Sequence, residues 1–238
     1  LLILFDICEN SVYDLQQELL AQFGRRLNLK VLIGSVRDAK RLASIFSEWR
    51  PDVVFHAAAH KHVPLMELSP GEAVKNNVYG TYNTALMAAR YGTSRFVLVS
   101  TDKAVNPTNV MGATKRLAEI VLQGMQARER NSPTRFCMVR FGNVLGSRGS
   151  LLPLFLQQLK YGGPLTVTHK DMKRYFMTTQ EAVTLVLEAS LLGDNGGTYV
   201  LKMGELVPIL DMAKEFCKIQ GYDLGKDVQY EVTGIRSG

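Results

Sequence analysis

A chain of 238 residues, 46% apolar and 21% charged, is long enough for one large domain or a domain with a small appendage, and has an ordinary globular composition. Its net charge of +6 is not gathered into a basic cluster interleaved with aromatics, so no nucleic-acid partner is expected. No apolar run approaches the roughly 18 to 20 residues that cross a bilayer, and Cys8, Cys137 and Cys217 show neither a disulfide nor a zinc pattern, so all three are expected as inert core residues in a reducing cytosol.

An apolar strand, Leu1 to Phe5, ends in Asp6, and a helix is predicted from about Ser11 to Gly24. Strands follow near Lys30 to Ile33, Asp52 to Phe55 and Phe96 to Val99, separated by helical patterns over Ala39 to Trp49 and Pro70 to Tyr91. This alternation predicts an α/β fold, a parallel sheet with helices on both faces. From Asn143 onward the alternation becomes irregular: a Gly/Ser/Arg loop, a helix near Leu152 to Lys160, a short strand around Pro164 to Thr168, and helices from Gln180 to Leu192 and Ile209 to Gln220.

The run Arg95-Phe96-Val97-Leu98-Val99 is apolar and β-branched enough to be a buried parallel strand. Directly behind it come Ser100-Thr101-Asp102-Lys103, where ligands bind in open α/β sheets. After the turn at Asn106-Pro107, a helix carries Met111 and Lys115 on one face, four residues apart, and aims Lys115 back over the strand end. A hydroxyl, an acid and two amines thus converge, which reads as an active site.

This arrangement resembles the extended short-chain dehydrogenase/reductases, in which a Ser/Thr, a Tyr and a Lys take these places; here Met111 stands at the Tyr position. Thr-Asp-Lys with that methionine is similar to the CapD-like nucleotide-sugar 4,6-dehydratases of bacterial polysaccharide biosynthesis. Further segments agree, in family order: Phe55 to Pro64 (Phe-His-Ala-Ala-Ala-His-Lys-His-Val-Pro), Asn77 to Thr81, Arg140 to Ser150 and Arg174 to Thr178. The resemblance implies a Rossmann-like doubly wound sheet with a small C-terminal substrate-binding lobe, divided as 1–145 for the cofactor and 146–238 mainly for the substrate. It also implies that the first strand and Gly-rich loop lie upstream of Leu1, and that Gly234 to Gly238 is the start of a longer C-terminal segment.

The implied cofactor is NAD, with Asp6 accepting the ribose hydroxyls and disfavouring NADP. Ser35 and Val36 would lie by the adenine, Ala57, Ala58 and Ala59 by the pyrophosphate and ribose, and Lys61, Asn77 and Lys115 elsewhere along the dinucleotide. The implied substrate is UDP-N-acetylglucosamine, its diphosphate held by Asn143, Arg148, Arg174 and Arg236. Both ligands carry phosphate, which accounts for the basic excess. Thr101 would bond the C4 oxygen, Lys103 take the C5 proton and Asp102 protonate the leaving C6 hydroxyl, with Met111 unable to replace the tyrosine. His60 and His62 lack a third ligand at sensible spacing, so no metal is expected. Other readings left open are a C5-inverting dehydratase, a UDP-sugar 4-epimerase and a non-catalytic sensor. A homo-oligomer is expected, and a membrane tether only through a region outside this cytoplasmic segment.

Overall fold

The computed structural model describes residues 1–128, 132–147, 149–192 and 196–234. The first half runs β1 (Leu2–Asp6), α1 (Glu9–Phe23), β2 (Leu29–Ile33), α2 (Ala39–Trp49), β3 (Val53–His56), α3 (Val63–Leu68) and α4 (Pro70–Ala73). A π-helical turn, Val74–Tyr79, leads into α5 (Gly80–Arg90), β4 (Arg95–Val99), a 3-10 turn (Asp102–Ala104), α6 (Val110–Arg128) and β5 (Arg135–Arg140). The remainder is β6 (Asn143–Val144), α7 (Leu151–Lys160), β7 (Leu165–Val167), β8 (Lys173–Met177), α8 (Thr179–Leu192), β9 (Gly197–Val200), β10 (Leu206–Pro208), α9 (Ile209–Ile219) and β11 (Tyr230–Val232).

Four parallel strands form the central sheet in the order β3-β4-β5-β9, and β1 pairs with β2, also parallel, as a separate two-stranded sheet. The alternation of side chains along a strand decides what covers each face. Phe96, Leu98, Phe136 and Met138 point to one face, where Leu42 and Phe46 of α2, Ala85 and Ala88 of α5, and Ala118 and Leu122 of α6 close over them. Val97, Cys137 and Val139 point to the other, against Ala182 and Ala189 of α8. Helices therefore cover both faces of a parallel sheet, the doubly wound Rossmann-like arrangement. Phe5 of β1 and Val54 of β3 pack on the same cluster, which joins the β1–β2 pair to this core.

A separate cluster gathers Phe155, Leu165, Val167, Ile209, Ala213, Cys217 and Val228, so α7, α9 and the β7–β11 pair make a C-terminal lobe with its own core. The strand order β10-β8-β6 forms the remaining sheet.

One expectation needs correction. Cys8 is exposed at the entry to α1, its thiol 3.0 Å from the Ser11 hydroxyl, because β1 ends two residues earlier and the chain leaves the core there. Cys137 and Cys217 are buried as expected. The helix predicted over Pro70 to Tyr91 is present and runs unbroken from Pro70 to Arg90, with a π-helical turn at Val74–Tyr79 inside it that faces Asn77 inward. Strand β5 and helix α3 occupy residues to which no element was assigned.

Candidate active site

Strands β1, β2, β3 and β4 end at Asp6, Ile33, His56 and Val99, and the segments that leave these C-terminal ends carry the expected site residues. Asp6 is exposed, and its carboxylate accepts the Cys8 backbone N–H at 2.7 Å. Behind β2, Val36 is buried while Ser35 is half-buried; Gly80 opens α5 so close to Val36 that a Cβ there would stand 2.6 Å from a valine methyl. The Asn83 amide donates to the Val36 carbonyl at 3.3 Å, so this segment is anchored to α5 from two sides. Behind β3, Ala57 is exposed, and Ala58 and Ala59 are half-buried; Lys61 is exposed. Short side chains at 57–59 leave the backbone approachable.

Asn77 is fully buried and bridges two segments. Its carbonyl oxygen accepts the His60 N–H at 2.8 Å, and its amide donates to the His60 carbonyl and the Thr114 hydroxyl, each at 3.0 Å. Thr81 donates to the Asn77 carbonyl at 2.6 Å and lies 2.9 Å from Nε2 of the buried His56. Burial first, and then the nearby Lys115 ammonium, lower the His56 pKa to about 3, so this imidazole is neutral at physiological pH.

Beyond β4, Thr101, Asp102 and Lys103 form one hydrogen-bonded unit. The Thr101 hydroxyl donates to Asp102 Oδ1 at 2.8 Å, and Lys103 Nζ donates to the same oxygen at 3.0 Å. The Thr101 oxygen also accepts the Lys103 backbone N–H at 3.3 Å, closing the 3-10 turn. Asp102 N–H bonds to the Phe141 carbonyl at 3.0 Å, which fixes the turn to the segment leaving β5. On that segment, a Cβ at Gly142 would stand 3.4 Å from Asp102 Oδ2 and 3.1 Å from the Met203 sulfur, so glycine leaves room beside the carboxylate. Both charged side chains are about one-third to two-fifths exposed, at 33% for Lys103 and 43% for Asp102, and hence open to a ligand.

Helix α6 supplies the opposite wall. Asn109 Oδ1 accepts the Gly112 N–H at 2.8 Å and Glu67 Oε1 the Val110 N–H at 2.7 Å, which satisfies free donors of the first turn. Lys115 is buried and reaches back over the strand end as its spacing predicts, donating to the Val99 carbonyl at 2.7 Å. Burial lowers its pKa to about 8, against the pull of the Glu119 carboxylate one turn later. Met111 lies instead in an apolar cluster with Met66 and Ala73. Its thioether has no proton to exchange.

Sequence reasoning missed the charged cluster behind these groups. Glu119, fully buried, accepts from the Ser100 hydroxyl at 2.6 Å, from Arg140 Nε at 2.8 Å and Nη2 at 2.5 Å, and from Arg116 at 3.0 Å. Burial pushes this carboxyl up, but the bonds from Arg140, Ser100 and Arg116 outweigh it and hold the pKa below the usual carboxylate value.

On the C-terminal side, β6 pairs with β8 so that Asn143 lies opposite Phe176. Arg174, two residues earlier on β8, therefore shares a sheet face with Asn143. Arg174 is half-buried, and its guanidinium donates to the Lys173 carbonyl at 3.0 Å. Arg148 and Arg236 lie outside the described residues. An apolar cavity of about 300 Å³, lined by Phe55, Val99, Phe141 and α8 residues including Val183 and Leu187, offers no polar side chain to orient a sugar.

The profile of a family described as polysaccharide biosynthesis protein matches residues 1–238. The capsular polysaccharide biosynthesis protein CapD of Staphylococcus aureus is 51% identical over 230 residues, 97% of this chain and 38% of that protein. The chain therefore spans well under half of that relative's length. A UDP-glucose 4-epimerase of Rickettsia canadensis is 41% identical over 174 residues, 73% of this chain and 50% of that protein. Among solved structures, Pen from Bacillus thuringiensis aligns with a TM-score of 0.89 and 35% identity over 99% of this chain and 69% of that one.

Proposed function

We propose, for a chain that belongs to the polysaccharide biosynthesis protein family, the NAD-dependent 4,6-dehydration of UDP-N-acetylglucosamine to a UDP-4-keto-6-deoxy sugar. The observation that carries this reading is the Thr101–Asp102–Lys103 unit at the end of β4, in which a hydroxyl and an amine both donate to one oxygen of the Asp102 carboxylate, an acid–amine pair that an epimerase does not need. Residues 1–145 would serve the cofactor and 146–238 mainly the sugar nucleotide.

A dinucleotide laid along the strand ends would meet the exposed Asp6 carboxylate at its adenosine ribose, Ser35 and Val36 at adenine, and the small 57–59 segment at its pyrophosphate. Lys61, Asn77 and Lys115 would line the remainder, Lys115 toward the nicotinamide ribose. The Asp6 carboxylate would repel a 2′-phosphate, which favours NAD over NADP. NAD supplies the acceptor for a hydride from sugar C4 and its return at C6.

The proton inventory closes on the chain's own residues and solvent, which takes one proton from Lys103 before the elimination and returns it after the product is formed. Thr101 Oγ1 accepts a hydrogen bond from the C4 hydroxyl and already donates to Asp102, so the C4 proton passes through Thr101 to the Asp102 carboxylate. Neutralising Asp102 removes the anion that steadies the Lys103 ammonium, and the amine gives its proton to solvent more readily. Neutral Lys103 then takes the C5 proton, acidified by the C4 ketone, while Asp102 gives its proton to the departing C6 hydroxyl as water. Lys103 finally returns a proton to C5. Met111 takes no part in proton transfer, and its apolar packing fills the place a tyrosine would occupy.

Asn143 and Arg174 would hold the diphosphate of the UDP group, with Arg148 and Arg236 as further candidates. Arginine's planar fork suits phosphate oxygens. Arg174→Ala should weaken UDP-sugar binding about 10- to 100-fold, the loss of one or two charge-assisted hydrogen bonds, with an unchanged circular dichroism spectrum. Unchanged affinity in calorimetry would remove Arg174 from the site.

The epimerase-like relative favours a second reading, hydride transfer at C4 alone. Product mass separates the two: dehydration removes one water, epimerisation leaves the mass unchanged, and a sensor binds without turnover.

A further inference from the structure

We propose that Glu119 is a positioning residue of this site: its buried carboxylate ties the ends of β4 and β5 to α6 and thereby fixes where Thr101, Asp102 and Lys103 stand. The proposal rests on the functional reading above for what those three residues do, but its geometry is independent of that reading. Ser100, which bonds to Glu119 at 2.6 Å, directly precedes Thr101. Arg140, held through both Nε and Nη2, directly precedes Phe141, whose carbonyl accepts the Asp102 N–H. The Arg140 carbonyl in turn accepts the Leu201 N–H at 2.9 Å, and two residues on the Met203 sulfur accepts the Gly142 N–H at 2.7 Å. One carboxylate thus sets three segments around Asp102. A buried carboxylate is costly unless its oxygens are fully bonded, and Glu119 receives bonds from three side chains.

The same anion stands one helical turn from Lys115 and favours its ammonium form. Charged and titratable groups on the elements packed against α6 are already matched or neutral. Glu67 of α3 bonds to the Val110 N–H, and Glu72 of α4 pairs with Lys75 of the π turn. Asp102 pairs with Lys103, and Arg140 of β5 pairs with Glu119 itself. Arg90 and Arg135 sit at strand and helix ends away from the Lys115 turn, and His56 of β3 is neutral. Glu119, although itself bonded to Arg140 and Arg116, is therefore the charge that acts on Lys115.

The test uses the full-length protein labelled with ε-¹³C lysine, with the Lys115 resonance followed from pH 6 to 11. Glu119→Gln keeps the shape and removes the charge, so the midpoint should fall by about one pH unit or more from its starting value. Arg116→Gln removes a half-exposed cation from Glu119, so the midpoint should rise. In steady-state assays Glu119→Gln should lower kcat about 100-fold, as expected when loss of the charge-assisted bonds lets the strand ends move by about 1 Å, with KM within about twofold. A Lys115 midpoint that does not move in Glu119→Gln, shifts of the same sign in both variants, or a kcat loss no larger than the unfolded fraction, would overturn the proposal. Should Glu119→Gln not fold, Ser100→Ala decides, because it removes the bond that ties the end of β4 to Glu119: kcat should fall with KM little changed, and an unchanged kcat would overturn the proposal. Failure of the dehydratase reading would show differently, as no water loss by the unaltered protein with the Lys115 titration intact.

Discussion

Lys103→Met should lower dehydratase turnover by about 10²- to 10⁴-fold, the usual contribution of a positioned general base. Lys103 is one-third exposed and its ammonium bonds to Asp102, so an unbranched apolar stem of similar length keeps the local packing. The loss should fall on C5 chemistry. Oxidation at C4 routes its proton through Thr101 and Asp102, which the substitution leaves in place, so cofactor reduction on mixing with substrate should persist while deuterium exchange at C5 stops. Stopped-flow absorbance of reduced cofactor and NMR of the C5 position read the two steps separately. Normal C5 exchange in Lys103→Met would remove Lys103 as the base.

Gly112→Ala should be the most damaging glycine-to-alanine substitution among the described residues. A Cβ at Gly112 would overlap the Lys103 carbonyl oxygen, stand 3.1 Å from its carbon and 3.3 Å from Asn109 Oδ1. The first two obstacles are backbone, with no flexible side chain to swing aside, and the third is the group that caps the helix. Either the first turn of α6 or the Asp102–Ala104 turn must shift, at a cost of about 1 to 3 kcal/mol for overpacking. Moving the latter displaces Lys103 and Asp102 together, so activity should drop about 100-fold. Gly124 lies in the same helix with nothing within 4 Å of an added Cβ. Gly124→Ala should therefore stabilise the protein by up to about 1 kcal/mol through helix propensity and leave activity unchanged. Thermal unfolding and kcat of the two variants test this contrast, and equal behaviour would contradict it.

The parts of the site carried by local pattern were legible in the sequence. Arg95 to Val99 reads as a buried strand because Phe96, Val97, Leu98 and Val99 are apolar enough to be covered on either face, and the polar run behind it had to lie at the strand end. The spacing of Met111 and Lys115 gave their shared direction, although only packing shows that Lys115 reaches the Val99 carbonyl while Met111 turns into an apolar cluster. Glu119 illustrates what local pattern hides. In sequence it is a charged residue four positions after Lys115 and three after Arg116, which reads as a solvated helical face. Its decisive partner, Arg140, lies on β5, and only the parallel register of β4 and β5 brings that strand end beside Ser100. The π-helical turn at Val74–Tyr79 was invisible for a related reason. One inserted residue barely disturbs the apolar periodicity, yet it faces Asn77 toward His60 and Thr114. Gly112 carried no distinguishing signal, since Gly124 in the same helix has open space around it, and only the tertiary structure brings the Lys103 carbonyl beside Gly112.

The most direct measurement is incubation of the full-length protein with UDP-N-acetylglucosamine in D₂O, followed by mass spectrometry and NMR of the product. The account predicts loss of one water, a ketone at C4, a methyl group at C6 and one deuterium at C5, whose orientation tells retention from inversion. Recovery of a sugar nucleotide of unchanged mass with no deuterium at C5 would contradict it.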